Sequence, residues 1–303
     1  MNKSFAFLFL LWIQIFSIDW MNPSIEDFKS LEENLMNSTY MYLPDLIFYR
    51  KNHPPYDGRV RSYKEFKFSQ DDQFDKDVNI VSIGKNTKKI AICTYFSSNY
   101  FKKNQGIQYF INMRINELKK VFFDGDYVYQ VGGYPNIAEG DLVLHETPYA
   151  FKISMIRRLQ RLGYSKILWL DAIINIKRNL DPFWERLNSN PIFVPPSIWR
   201  FRLYCPNHVK EATELSCQGA RKVTHFESGI LGLNLADPSI QDLMIQWYDL
   251  ALLKYPFFSY FPEQMPLSIL IYKNNIVVNS NDWRNYFHYD YEPIITDVDD
   301  TTG

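Results

Sequence analysis

The sequence predicts an α/β fold, a largely parallel central sheet flanked by helices in a single domain that follows an irregular N-terminal extension. Three observations predict it. Residues 89–95, 127–131 and 166–170 are short apolar runs bounded by polar residues, as expected of strands buried on both faces. Between them lie segments whose apolar residues recur at helical spacing, and strands that alternate with helices pair in parallel through crossovers. At 303 residues, 46% of them hydrophobic, the chain can bury a full core.

Residues 1–20 open with Met1-Asn2-Lys3-Ser4 and continue as an apolar run to Ile13. That is a basic start before a stretch of signal-peptide length, shorter than the roughly 20 apolar residues of a spanning helix, and it predicts a secreted or membrane-associated protein. Residues 21–87 are polar and mixed, with a sharp loop at Asn52-His53-Pro54-Pro55-Tyr56-Asp57-Gly58 and a glycosylation pattern at Asn37-Ser38-Thr39. The main domain is residues 88–292, and residues 293–303 form an acidic tail.

Within the domain, Ile107, Phe110, Ile111, Ile115, Leu118 and Phe122 predict a helix over 105–122. Thr147-Pro148 opens a second, with Phe151, Met155, Leu159 and Leu162 inward and Gly163 as its stop. From Pro195 to Thr224 no period is visible, which predicts a long loop or lid carrying Trp199, Arg200, Phe201 and Arg202. A strand follows over 229–235, then a helix over 238–254 with Ile240, Leu243, Met244, Trp247 and Leu250 inward. A helix over 263–272 and a short strand at 276–278 complete the pattern.

Lys and Arg (33) nearly balance Asp and Glu (34), which removes the electrostatic signature of a nucleic-acid binder. Cys93 lies in an apolar strand and reads as inert; Cys205 and Cys217 share one loop region and could pair in an exported chain.

Asp171 is the strongest single candidate for chemistry. A carboxylate placed where a buried parallel strand ends points into the crevice where such sheets bind nucleotides. It can hold Mg²⁺ or Mn²⁺ against a diphosphate, or it can cap the following turn. Lys152 lies on the inward stripe of its helix, in the first turn, and must find an anion there or snorkel outward.

The runs Thr147-Pro148-Tyr149-Ala150-Phe151-Lys152, Gly163-Tyr164-Ser165-Lys166-Ile167-Leu168-Trp169-Leu170-Asp171 and Asn179-Leu180-Asp181-Pro182-Phe183 resemble the nucleotide-diphospho-sugar transferase superfamily of GT-A fold. So do His225-Phe226-Glu227-Ser228-Gly229-Ile230-Leu231-Gly232-Leu233-Asn234 and Phe261-Pro262-Glu263-Gln264-Met265-Pro266-Leu267-Ser268, in the superfamily's order over about two thirds of the chain. The resemblance implies a Rossmann-like glycosyltransferase. Its donor would be a nucleotide sugar, bound by Thr94, Tyr95, Lys152, Asp171, Ser228 and Gly229, and its acceptor a glycan, protein or lipid. Glu227, Glu263 and Gln264 would stand around the reacting centre.

The superfamily's Asp-x-Asp metal motif has Ile173 in its second acidic position, so a divalent cation would rest on Asp171 and a later residue such as His288. Asp124-Gly125-Asp126 and Asp297-Val298-Asp299 spell the motif elsewhere, but neither follows a strand. Two other readings remain: a catalytically inactive relative that binds a glycan or nucleotide, and an α/β phosphatase with Asp171 as nucleophile.

Overall fold

The computed structural model describes residues 76–85, 89–96, 106–134, 141–199, 201, 205–257, 259 and 261–289. The leader, the glycosylation pattern, most of the extension, Arg200, Arg202 and the acidic tail lie outside them. Among the described residues no helix is long and apolar enough to cross a membrane.

Strand β2 (Ile90–Phe96) explains why its sequence is an unbroken apolar run. Ala91, Cys93 and Tyr95 enter one core, while Ile90, Ile92 and Phe96 enter another on the opposite face. Helix α1 (Gly106–Lys120) covers the second face through Ile111 and Leu118, and β3 (Asp126–Val131) returns parallel to β2. Helix α2 (Phe151–Arg161) covers the first face, and β4 (Lys166–Leu170) pairs parallel on the other side of β2. The C-terminal ends of β3, β2 and β4 therefore share one edge of the sheet.

Helix α2 ends as its sequence predicts. Gly163 takes φ +82°, and Tyr164 and Gly163 donate to the carbonyls of Leu159 and Gln160. Those bonds make the Schellman closure that a glycine permits without strain.

After β4 the chain makes an excursion through β5 (Ile174–Ile176), α3 (Asp181–Ser189), β6 (Ile192–Phe193), α4 (Asn207–Ala212) and α5 (Cys217–Ala220). It returns as β7 (Ile230–Asn234), antiparallel to β4, with β6 antiparallel on its outer side. Helices α6 (Pro238–Leu253) and α7 (Gln264–Lys273) close the first face, and β8 (Phe287–Tyr289) pairs antiparallel with β5 in a small second sheet. With β1 (Asn79–Ser82) antiparallel on β3, the main sheet has the order β1-β3-β2-β4-β7-β6. The architecture is α/β, a mixed sheet with a parallel trio at its centre and helices on its faces.

Several elements depart from the sequence reading. The sheet takes in β1 from within the extension read as irregular, through antiparallel pairing with β3; this edge strand is largely exposed and shows no apolar alternation to mark it. Residues 195–224 are not one loop: they carry α4, α5 and an isolated antiparallel bridge between Pro196 and Phe226. Residues 276–278 alternate, with Ile276 and Val278 packed on the core and Val277 72% exposed, yet they pair with no strand. Leu162, expected inward, caps α2 and is exposed. Cys205 and Cys217 are both free thiols, one buried and one exposed, so the pairing left open by the sequence is not made here. Cys93 is buried, and desolvation pushes its pKa far up, as an inert thiol requires.

Candidate functional site

At the C-terminal edge of the parallel trio three elements meet: the first turn of α2, the end of β4 and the start of β7. The end of β4 and the start of β7 are tied by the Asp171 N–H, which donates to the Gly229 carbonyl at 2.9 Å. Because β7 runs against β4, residues that precede it in sequence arrive where β4 runs out.

Lys152 is the centre of this edge and is only 1% exposed. Its ammonium donates to the Ser228 carbonyl (2.9 Å), the Ser228 hydroxyl (2.8 Å) and Glu263 Oε1 (3.0 Å). Ser228 Oγ in turn donates to the same Glu263 oxygen at 2.6 Å. Asp171 Oδ1 lies 3.9 Å from the ammonium, which also sits 5.1 Å from the centre of the Trp169 ring. A buried cation is tolerated only when paired and hydrogen-bonded. Lys152 therefore does not snorkel; it binds the edge together, with its donors directed at protein acceptors rather than outward.

Asp171 differs from Glu263 in its access. Its side chain is 46% exposed, whereas that of Glu263 is 4% exposed. Trp169 Nε1 donates to Asp171 Oδ1 at 2.7 Å and fixes the carboxylate. Oδ2 faces Gly229, where an added Cβ would meet it at 3.1 Å and the Tyr289 hydroxyl at 3.3 Å. A side chain at this position would push the Asp171 carboxylate and the Tyr289 hydroxyl aside by a few tenths of an ångström. The 171–174 turn closes through the Ile174 N–H to the Asp171 carbonyl at 3.0 Å and is held from beneath by Arg114, which donates to the Ile174 carbonyl. Arg114 is 2% exposed and also pairs with Glu117 at 2.7 Å.

Glu227 lies at the outer side of Gly229. The Ser197 hydroxyl donates to its Oε1 at 3.0 Å, and the Tyr289 hydroxyl reaches Oε2 at 3.5 Å. Ser197 is brought there by backbone pairing, since its N–H donates to the His225 carbonyl at 2.8 Å and the Glu227 N–H donates to Pro195 at 2.9 Å. His225 is 2% exposed, and burial lowers its pKa to about 4 against weaker opposing pulls from the Trp199 backbone, the Gln264 side chain and Glu263.

The sequence-predicted residues divide by position. Lys152, Asp171, Ser228, Gly229 and Glu263 come together, with Glu227 adjoining them. Glu263 is consumed as the buried partner of Lys152 and Ser228 rather than held free at a reacting centre. Gln264 begins α7 with its Oε1 buried. Thr94 and Tyr95 are both buried; Tyr95 stacks on Phe151 at 4.0 Å and donates to the Gly133 carbonyl at 3.3 Å.

Ile173 packs against the second core, so the second position of the motif turns inward. His288 stands opposite Asn175 in the small sheet. Its neighbour Tyr289 turns toward Gly229, so the strand pleat turns His288 to the other face. Among the described residues no three His, Cys, Asp or Glu side chains gather as a metal site.

Trp169, Ser197, Tyr289 and Arg114 were not singled out in the sequence. Trp169 was legible, since residues i and i+2 of a strand share a face and Trp169 precedes Asp171 by two. The others come from remote segments, and only the fold brings them near.

No family model and no curated protein matches the sequence. Among solved structures the chain is similar to the galactosyltransferase LgtC in complex with donor and acceptor sugar analogues, at 15% identity over 59% of this chain and 70% of that one, TM-score 0.38. It is similar to mouse xyloside xylosyltransferase 1 at 12% identity over 63% and 71%, TM-score 0.35. It is also similar to the mannosyltransferase Ktr4p from S. cerevisiae at 11% identity over 84% and 82%, TM-score 0.35. Likenesses this distant carry no weight for function, which rests on the side chains themselves.

Proposed function

We propose that the chain is a glycosyltransferase that moves a sugar from a nucleotide-diphosphate donor to a hydroxyl acceptor. The observation that carries this reading is the pairing at one sheet edge of a fixed, half-exposed carboxylate, Asp171, with a saturated ionic cluster behind it. Strand C-termini are where open α/β sheets bind nucleotides, and pre-positioned charge at that edge needs no rearrangement during reaction.

In the transfer, the acceptor oxygen bonds to the sugar's anomeric carbon while the bond from that carbon to the diphosphate oxygen breaks, its electron pair leaving with the diphosphate. The hydroxyl proton passes to a carboxylate. We assign that role to Glu227, whose carboxylate is oriented by Ser197 and Tyr289, and a framing role to Lys152 with Glu263.

The residues offer a divalent ion one carboxylate oxygen, Asp171 Oδ2, beside a lysine ammonium. That fits an ion held mainly by the diphosphate and water, not one held tightly by the protein. Such an ion would neutralise the departing diphosphate. The apolar leader supports a secretory-route or membrane-associated setting for this activity.

A screen of nucleotide sugars for donor hydrolysis and transfer, with and without Mn²⁺, tests the reading. Turnover of one donor, lost in Asp171→Asn, is expected; a chain that neither turns over nor binds any nucleotide sugar is not a transferase. The inward packing of Ile173 favours a second reading, an inactive relative retained as a binding protein, for which binding without turnover would be the result. A phosphatase would need a metal-binding acid pair beside Asp171, and no such grouping lies among the described residues.

A further inference from the structure

Ser197, Trp199, His225, Phe261 and Gln264 form a constellation next to Glu227. The Trp199 and Phe261 rings are both half-buried, 6.3 Å apart and inclined by 38°. The Ser197 hydroxyl accepts from the Trp199 N–H at 3.2 Å while donating to Glu227 at 3.0 Å, so the aromatic residue and the carboxylate are held through one atom. Beneath Phe261, the His225 ring packs edge-on at 4.6 Å.

Polar atoms here are buried with poorly aligned hydrogen bonds. Neither ring nitrogen of His225 makes a well-aligned bond, although the Trp199 backbone and the Gln264 side chain lie close enough to act on it, and Gln264 Oε1 has no well-aligned donor. Buried polar groups left in this state are costly, and such groups in a folded protein ask for a bound partner. A neutral imidazole and an amide oxygen next to two aromatic faces and one carboxylate make a surface of mixed character. Its apolar part suits the C–H face of a sugar ring, and its polar part suits hydroxyl groups. A lipid chain would press apolar groups against the Glu227 carboxylate and desolvate it at a cost.

We infer that this constellation is the acceptor subsite and that the acceptor is a saccharide, an inference that rests on the transferase reading above. A sugar ring lies against Trp199 and Phe261, with a hydroxyl directed at Glu227. Because Ser197 joins Trp199 to Glu227, docking of the ring sets the position of the carboxylate that takes the hydroxyl proton.

Saturation-transfer NMR on the full chain tests this, with methyl β-glucoside, methyl β-galactoside, methyl α-mannoside and lactose as probes and calorimetric titrations of UDP and GDP run in parallel. At least one saccharide is expected to bind, with saturation strongest on the C–H protons of one ring face. Trp199→Ala and Phe261→Ala should each weaken it about tenfold, and Trp199→Phe, which keeps an aromatic face, should weaken it less. Val277→Ala, at a remote position 72% exposed, should bind as the native chain does. The inference is overturned if a saccharide binds equally well to Trp199→Phe and both alanine variants, each shown to be folded by its melting curve. It is also overturned if none of the four saccharides binds while UDP or GDP does, an outcome that leaves the transferase reading standing with a different acceptor. If neither sugars nor nucleotides bind, both fall together.

Discussion

Asp126 and Asp171 stand at opposite ends of the same parallel trio, and their surroundings differ in kind. Asp126 opens β3 opposite Ala91 at the start of β2, is 8% exposed, and accepts the Tyr164 hydroxyl at 2.6 Å. Burial first, and then this carboxylate, pushes the Tyr164 pKa far up, so the pair stays a phenol hydrogen-bonded to Asp126. Asp171 closes β4, is half open to solvent, and has one oxygen pinned by Trp169 while the other faces Gly229. The first aspartate belongs to a literal Asp-x-Asp string and serves the fold. The second belongs to a broken one and is the carboxylate to which the proposed function assigns the chemistry. What a carboxylate can do is decided by the strand end it occupies, not by the letters around it.

The strongest way to break this comparison is to show that the open edge contributes nothing to stability. Lys152→Met leaves Glu263 buried without its cation and should cost about 3–5 kcal/mol, because one member of a buried pair is left uncompensated. Lys152→Met/Glu263→Gln should recover part of that loss. Urea denaturation measures both, and a loss below 1 kcal/mol for the single variant would place Lys152 among surface charges.

The two aspartates should then separate. Asp126→Asn weakens a buried hydrogen bond and should cost about 1–3 kcal/mol while leaving nucleotide binding intact. Asp171→Asn should change stability by less than about 0.5 kcal/mol, since the amide oxygen can still accept from Trp169 and the group is half exposed. Its nucleotide-sugar turnover should be lost. The reverse pattern would exchange the roles assigned to the two ends.

His225 sharpens the comparison through pH. Its folded pKa lies near 4 against an ordinary value of 6.5, so the unfolded chain binds the proton first as pH falls. The stability from keeping it neutral is full above 6.5 and declines toward pH 4, by up to about 1.4 kcal/mol per unit. Thermal melts from pH 7 to pH 4 should show this slope, and His225→Gln should remove it.

A small effect confined to stability is expected at Asp282. Arg186 holds this carboxylate through hydrogen bonds at 2.6 and 2.7 Å and lowers its pKa. The pair is a third to a quarter exposed, so Asp282→Asn should cost only about 0.5–1 kcal/mol at neutral pH. That contribution is present above the ordinary carboxylate range and is lost as pH falls through the depressed pKa, so native and variant melts should converge in acid.

The elements with strong periodicity were legible in the sequence: α1, α6 and the strands β2, β3 and β4 fall within a residue or two of their expected limits, and α2 stops where expected but begins at Phe151 rather than at Thr147-Pro148. Burial on both faces writes a clear pattern. Strand β1 was invisible because an exposed edge strand is specified by backbone pairing to β3 rather than by its own side chains. The short β5, β6 and β8 lack the length to show a period at all. At the site, Lys152 and Asp171 were legible as neighbours, since a helix start and a strand end on one edge must meet. That Glu263 would neutralise Lys152 was not, because the partners lie 111 residues apart. The inward turn of Ile173 was hidden for the same reason, its contacts being made by the second core.

Because β7 runs against β4, the excursion between Asp171 and Gly229 begins and ends at one place, its two ends fastened by a 2.9 Å hydrogen bond. Such a segment is a cassette. Closing a loop becomes costlier only slowly with length, about 0.6 kcal/mol for each doubling, so the turns of this segment can lengthen cheaply while α3 and β6, whose Phe183, Leu187 and Phe193 lie in the second core, are kept. Ser197 and Trp199 ride on it, whereas Lys152 and Glu263 do not. Under the reading proposed above, change at Ile198, an exposed position of this segment, would alter what docks beside Trp199 without touching Lys152 or Glu263.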